Sequence, residues 1–164
     1  RRLAAKAGLK PQLVHYYFRT MDDLFIEVFR RNADANIERF ERAVAEDPSL
    51  GHLWRLNADT RGATFTIEFV ALANHRKAIR AEIARYAERF RAAQIEAVSA
   101  ALKQRGIPAD RLPPIVALLT MTGLAQVLAL EEMIGLTDGH DTTVDFVEQT
   151  IAALDGVPPP KRRR

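Results

Sequence analysis

A cluster of cationic, amide, aromatic and apolar side chains near the start of the chain has the chemistry needed to bind a nucleic acid. Its members are Lys10, Gln12, Leu13, His15, Tyr16, Tyr17 and Arg19. Lys and Arg side chains neutralise phosphates, and a Gln side chain can hydrogen-bond the edge of a base in the major groove. These residue types at this spacing predict a surface that reads DNA.

Two short helices and a turn must position the cluster. Gly8 ends a run of small residues, where a left-handed helix stop favours glycine. Pro11 suits the first position of a second helix, which leaves Lys10 as a poor N-cap. Thr20 caps a third helix, and Asp23 completes a capping box with it. The spacing predicts a helix, a turn, a second helix and a capped third helix.

This layout resembles the helix-turn-helix of the TetR family of bacterial transcriptional regulators. The matching positions are Leu3-Ala4, Ala7-Gly8-Leu9, Val14, His15-Tyr16-Tyr17-Phe18 and Leu24. The motif covers residues 3–25, and the all-helical layout beyond it is similar. The resemblance implies a partial DNA-binding domain over residues 1–30, whose first helix is missing from the sequence. The alternative is that Gly8 and Pro11 only join two core helices.

The resemblance also implies roles for the members of the cluster. The residues that match base-facing positions of the family are Lys10, Gln12 and Leu13. The residues that match phosphate-contacting positions are His15 and Tyr17, and Tyr16 points away from the inward side of the same helix.

Two positions depart from the family pattern. Lys10 stands where the family usually has an N-cap Ser, and Met21 stands where it usually has a Lys that anchors a phosphate. Arg19 is the candidate replacement for that phosphate contact.

Charge is distributed unevenly along the chain. Residues 1–31 contain seven Lys or Arg and three acids, and the four residues 161–164 are all basic. Residues 32–160 contain 13 basic and 18 acidic side chains, so the formal net charge of +3 comes from the two ends. A basic end on an acidic body favours a nucleic-acid partner at that end.

Nothing in the sequence indicates a metal centre or catalysis. The chain has no Cys, and the four His residues, at positions 15, 52, 75 and 140, lack metal-ligand spacing. The segment 138–141 could chelate an ion, but turn chemistry before a helix explains it better. No nucleophile elbow, phosphate loop or dinucleotide fingerprint is present. We predict a cytoplasmic protein that is not an enzyme and holds no cofactor.

The rest of the sequence predicts an all-α fold. An amphipathic helix runs from Thr20 to about Ala45 and leads into a helical effector-binding and dimerisation domain over residues 31–155. Residues 156–164 form a Pro-rich basic tail that is expected to be disordered.

The segment 113–135 is apolar on every side, which is typical of a helix covered on all faces. Its uninterrupted apolar run is too short to favour a membrane span. The simplest cover is a second copy, so we predict a homodimer formed by helices 113–135 and 141–154. The resemblance implies the same interface. The alternative is a central helix of a monomeric bundle.

Aromatic and polar residues on the body helices suggest a mostly apolar pocket for a small-molecule effector. TetR-like proteins bind small molecules in this region. The candidate ligand-binding residues are Trp54, Phe65, Glu68, Phe69, Tyr86, Phe90, Met121 and Gln126. For each residue the alternative is ordinary core packing.

Together with these features, the resemblance implies a ligand-responsive regulator, which in this family is most often a repressor. A small apolar or amphipathic effector would release it from double-stranded operator DNA. Two alternatives stay open. One is a constitutive DNA-binding dimer without an effector, and the other is an all-α small-molecule-binding protein or enzyme.

Overall fold

Residues 2–58 and 63–158 are described by a computed structural model, with the backbone alone at residues 2, 11 and 63–66. These residues form eight α-helices and no strand, which confirms the predicted all-α fold. The helices are α1 (Arg2–Lys6), α2 (Pro11–Tyr17), α3 (Met21–Glu46), α4 (Leu50–Ala58), α5 (Ala63–Ala73), α6 (Lys77–Gln104), α7 (Pro114–Met133) and α8 (His140–Asp155).

The two long helices, α3 and α6, lie side by side and run parallel. Their apolar residues recur every three or four positions, so each helix buries one side. On α3 the buried residues are Phe29, Ala33, Ile37 and Phe40. Three ion pairs join the two segments, and their residue numbers rise together along both, as expected for parallel helices. The pairs are Asp22–Arg76, Arg30–Glu82 and Asp34–Arg89.

The buried apolar residues form two clusters. The main core joins the second half of α3 to α4, α6, α7 and α8. Its buried members are Phe40, Leu50, Leu53, Trp54, Ala97, Val98, Ala101, Leu102, Leu118, Met121, Ala125 and Ile151. The small core joins α3, α5 and the start of α6, and its buried members are Phe29, Ala33, Phe69, Ala73 and Ile79.

A long-range cap fixes α4 inside the main core. Asp155, at the end of α8, accepts hydrogen bonds from the N–H groups of Leu50 (3.3 Å) and Gly51 (2.9 Å). Arg105 lies 3.4 Å from the same carboxylate. Because Asp155 is buried, these partners satisfy a charge that would otherwise be costly to remove from water. Sequence spacing could not reveal this cap, since its two ends lie far apart in the chain.

Several predicted helix bounds agree with the structure and one start differs. The predicted helix from Thr20 to about Ala45 corresponds to α3, and the segments 113–135 and 141–154 correspond to α7 and α8. Asn74 is a favoured N-cap residue, so the sequence predicts that the sixth helix starts at His75, and this prediction is wrong. The N–H groups of Asn74 and His75 bond back to Ala71 and Leu72, which continues the turn after α5, and α6 starts at Lys77.

Candidate functional site

The first two helices meet at a turn closed by backbone hydrogen bonds. The N–H of Leu9 donates to the carbonyl of Ala4 over 2.8 Å, and the N–H of Gly8 donates to Ala5 over 3.2 Å. This bond pair is a helix stop that requires a left-handed residue, and Gly8 has a φ of +67°. Lys10 precedes α2 without making a side-chain cap. The predicted glycine stop and the predicted weak N-cap are both present.

All the side chains of the predicted DNA-binding cluster are exposed. They are Lys10, Gln12, Leu13, His15, Tyr16, Tyr17 and Arg19. Tyr16 and Tyr17 are 80% and 69% exposed, and their rings meet edge to face with centroids 5.2 Å apart. Val14 and Phe18 are partly buried and form the inward side of α2. The cluster therefore lies outside the inward side of α2, either on the helix or just beyond its two ends.

A shallow concavity lies at this cluster. It encloses about 550 Å³ and is lined by Gly8, Leu9, Lys10, Gln12, Leu13 and Tyr16. Its lining combines one cation, one amide and the exposed apolar side chains of the turn. This combination can contact phosphate, a hydrogen-bonding base edge and a methyl group together.

The start of α3 follows the cluster directly in the chain. The hydroxyl of Thr20 accepts from the N–H of Asp23 (3.1 Å), and the carboxylate of Asp23 accepts from the N–H of Thr20 (2.9 Å). The predicted capping box is therefore present. Asp22 forms an ion pair with Arg76, just before α6. This pair holds the turn between α5 and α6 against the first turn of α3.

The predicted ligand-binding residues are divided between the two cores. Trp54, Met121 and Phe90 belong to the main core, whereas Phe69 and Tyr86 belong to the small core. Glu68 and Gln126 are exposed. The side chain of Phe65 lies outside the described residues. Among the described residues, these side chains do not line one shared cavity, and the effector pocket stays a prediction.

A polar cavity that the sequence analysis missed lies between α3 and α6. It encloses about 160 Å³ and is lined by Phe29, Arg30, Ala33, Asp34, Glu82, Arg85, Tyr86 and Arg89. The signal in the sequence was Glu82, a charged residue on the apolar side of α6 between Ile79 and Tyr86. The residue on α3 that binds it is 52 positions away, so spacing could not identify the partner.

Glu82 is buried and held by two guanidinium groups. Arg30 donates two hydrogen bonds to it, Nε to Oε1 over 2.9 Å and Nη2 to Oε2 over 2.8 Å. Arg85 donates to the same carboxylate from the next turn of α6. The hydrogen bond from Arg30, supported by Arg85, lowers the pKa of Glu82 from 4.5 to about 2 in spite of burial. Glu82 is therefore ionised in the folded protein at any physiological pH.

Tyr86 closes the inner side of this cavity. The side-chain amide of Asn36 donates to the Tyr86 hydroxyl over 2.7 Å, and burial raises the pKa of that hydroxyl. The Tyr86 ring stacks on Phe90 with centroids 5.6 Å apart, so it lies where the small core meets the main core.

Replacing the buried carboxylate is expected to destabilise the protein most at neutral pH. Glu82→Gln removes the charge from a bidentate hydrogen-bonded pair, and such bonds contribute about 1.5–3 kcal/mol each. The folded-state pKa is depressed, so the contribution is present above pH 4.5 and is lost as the pH falls toward about 2. Thermal unfolding followed by circular dichroism should show the wild-type and variant midpoints converging over that range.

The matched control is Asp34→Asn, which removes a carboxylate from the same helix pair. Asp34 and Arg89 are both more than half exposed, so this change is expected to cost under about 1 kcal/mol. An equal loss of stability in both variants would contradict a larger contribution from Glu82 than from Asp34.

An apolar stripe on α7 faces away from the main core. The buried residues Leu118, Met121 and Ala125 define the inner side of the helix. Exposed apolar residues on the outer side include Val116, Leu119, Val127 and Leu130, and Ile134 follows directly after the last residue of the helix. Gly123 lies in the middle of this stripe, and a Cβ there would meet nothing within 4 Å. We call this set, with Gly123, the α7 stripe.

The outer side of α7 is therefore apolar and uncovered within the described chain. On α8, Phe146 is also 70% exposed. Helix α7, at 20 residues, is longer than the apolar run on which the sequence prediction rested. By length and composition alone it could cross a membrane, with a mean hydropathy of 1.6 and 17% of the apolar segment buried. One side of the helix forms part of the main core, so a partner of α7 would contact its outer side, which carries the α7 stripe.

Comparison of the chain with family models, with curated proteins and with solved structures gives no match.

Proposed function

We propose that this protein is a homodimeric, effector-responsive transcriptional regulator that binds operator DNA, as TetR-like proteins do. The observation that carries the proposal is the exposed face of α2, which presents a cation, an amide and two tyrosines beside a glycine-stopped turn. Exposed amide and aromatic groups can contact the edges of base pairs, and a cation beside them can contact the neighbouring phosphates.

The role of each side chain in the proposal follows from its chemistry. Gln12 and Leu13, in the first turn of α2, reach base edges when the helix enters the major groove, with Lys10 just ahead of them. His15 and Tyr17 contact phosphates, which fix the helix in register without reading sequence.

Dimerisation through the last two helices is part of the proposal, and the α7 stripe supports it. A row of exposed apolar side chains along a helix marks a protein or membrane contact. A second copy can place its own stripe on this one about a two-fold axis, with Phe146 at the edge of the contact. Two copies would carry two α2 helices, as required for half-sites about one helical turn apart.

The effector would act through α3 in this proposal. The helix has 26 residues and spans about 39 Å, from the start beside α2 to the main core. A molecule that binds between α3 and α6 contacts α3, the helix that extends from beside α2 to the main core. It changes DNA affinity only if it binds two arrangements of α3 with different affinity.

The proposal is tested first with Tyr17→Ala. We expect the variant to bind a duplex from the promoter of its own gene about tenfold or more weakly in a gel-shift assay, because a phosphate contact and aromatic surface are lost. Sedimentation should show an unchanged oligomeric state, since Tyr17 is 69% exposed and is not part of the α7 stripe.

Tyr17→Phe is the matched control, because it keeps the ring and removes only the hydroxyl. It should lose less affinity than Tyr17→Ala. Wild-type protein without affinity for any duplex, or a Tyr17→Ala variant with undiminished affinity, counts against the proposal.

A further inference from the structure

The turn between α5 and α6 carries a concentrated positive charge. Four of the six residues from position 75 to 80 are basic or His, and no acid occurs between Glu68 and Glu82. These four residues are His75, Arg76, Lys77 and Arg80. They lie outside the helix-turn-helix motif of residues 3–25.

The structure puts this turn at the same end of the molecule as α2. Helices α3 and α6 run parallel, so their starts are neighbours, and the ion pair between Asp22 and Arg76 joins them directly. Asp22 follows Met21, the position at which the motif lacks its phosphate-anchoring cation. The α5–α6 turn therefore adds a cationic surface beside that position.

The four groups differ in how their charge is used. Arg76 is neutralised by Asp22. Arg80 donates to the carbonyls of Ala73 and Asn74 over 3.3 Å each, which positions its guanidinium on the turn and leaves its charge uncompensated.

His75 and Lys77 are exposed. Within the described part of the chain, Lys77 has no ion-pair partner, so its ammonium is available to a ligand.

We propose that Lys77, with Arg80 beside it, binds a backbone phosphate of duplex DNA and supplies the contact that Met21 lacks. The inference rests on the proposed function and extends it to a second segment, far from α2 in sequence. Neutralisation of a phosphate releases condensed counterions and carries no base information. The contact therefore raises the affinity for every duplex alike and adds to the salt dependence of binding.

The test measures the affinity of the whole protein for a random-sequence duplex and for a promoter duplex by fluorescence anisotropy from 50 to 200 mM salt. Lys77→Ala should weaken binding to both duplexes about 5- to 10-fold near 0.1 M salt. It should also reduce the slope of log K against log salt by about 0.9 for each protomer engaged. Lys77→Arg keeps the charge and should retain the slope.

Lys103→Ala is the control, because Lys103 is exposed on the same helix, about 39 Å farther along it. It should leave the slope unchanged. If Lys10→Ala lowers the slope and Lys77→Ala does not, the phosphate contact is wrong and the proposed function stands. If the wild-type protein binds neither duplex, the proposed function is wrong and the phosphate contact with it.

Discussion

Val127→Asp is expected to prevent formation of the proposed homodimer and leave a monomer. Val127 is 50% exposed in the middle of the α7 stripe. In a two-fold dimer the Val127 side chain of each protomer would be buried at the interface. Burial of an unpaired carboxylate costs several kcal/mol, so dimerisation should weaken by on the order of 1000-fold. Sedimentation at micromolar concentration should then give the mass of one chain, 18.4 kDa, in place of twice that mass.

Loss of the dimer should also reduce binding to the operator. A monomer carries one α2 helix and contacts one half-site. It therefore loses the added affinity that comes from two linked α2 helices binding two half-sites together. The variant should keep the circular dichroism spectrum of the wild type, because the substituted side chain faces away from the main core.

Val70→Asp is the matched control for this prediction. Val70 lies on α5, is 47% exposed and is not part of the α7 stripe. The same substitution at nearly the same exposure should leave the dimer intact. A wild-type protein that is monomeric, or that stays in solution only with detergent, contradicts the dimer and favours a different partner for the stripe.

Trp54→Ala is expected to destabilise the protein by about 3–5 kcal/mol, because removal of a buried aromatic side chain leaves a cavity. Trp54 is 2% exposed and lies in the main core with Leu53, Val98 and Leu102. Urea unfolding followed by circular dichroism measures the loss, since the variant has no tryptophan left to report by fluorescence.

This second prediction separates core packing from ligand binding at Trp54. A residue that lines an open pocket costs little stability when it is truncated in the free protein. A loss under about 1 kcal/mol would therefore favour the ligand-binding interpretation. Trp54→Phe, which keeps an apolar ring, should cost distinctly less than the alanine variant.

The α-helical bounds and the local stops were predictable because they depend on neighbouring residues. Gly8 has the positive φ that a glycine stop requires, and Thr20 and Asp23 form the reciprocal cap that their three-residue spacing indicates. The apolar period of α3 likewise predicted its buried side. For both helix ends the determining hydrogen bonds span five residues or fewer.

The cavity between α3 and α6 was not predictable in this way. Glu82 in an apolar stripe signals a buried charge, yet its partner Arg30 is identified only when the two helices are placed side by side. The same limit applies to Asp155, whose carboxylate caps α4 from the other end of the chain. Residue pairs so far apart in the sequence depend on which helices pack together. The apolar periodicity of a single sequence does not show this packing.

By itself, the sequence determined which segments are helices, where they stop and which sides are apolar, because backbone capping and burial act locally. It also placed an apolar helix at 113–135 without stating which side stays uncovered. Tertiary structure alone decided that Leu118 faces the core while Val127 faces outward, that Trp54 and Tyr86 belong to different cores, and that Lys77 lies near the start of α3. The physical reason is that side-chain surroundings depend on how helices pack, and packing joins residues that are distant in sequence.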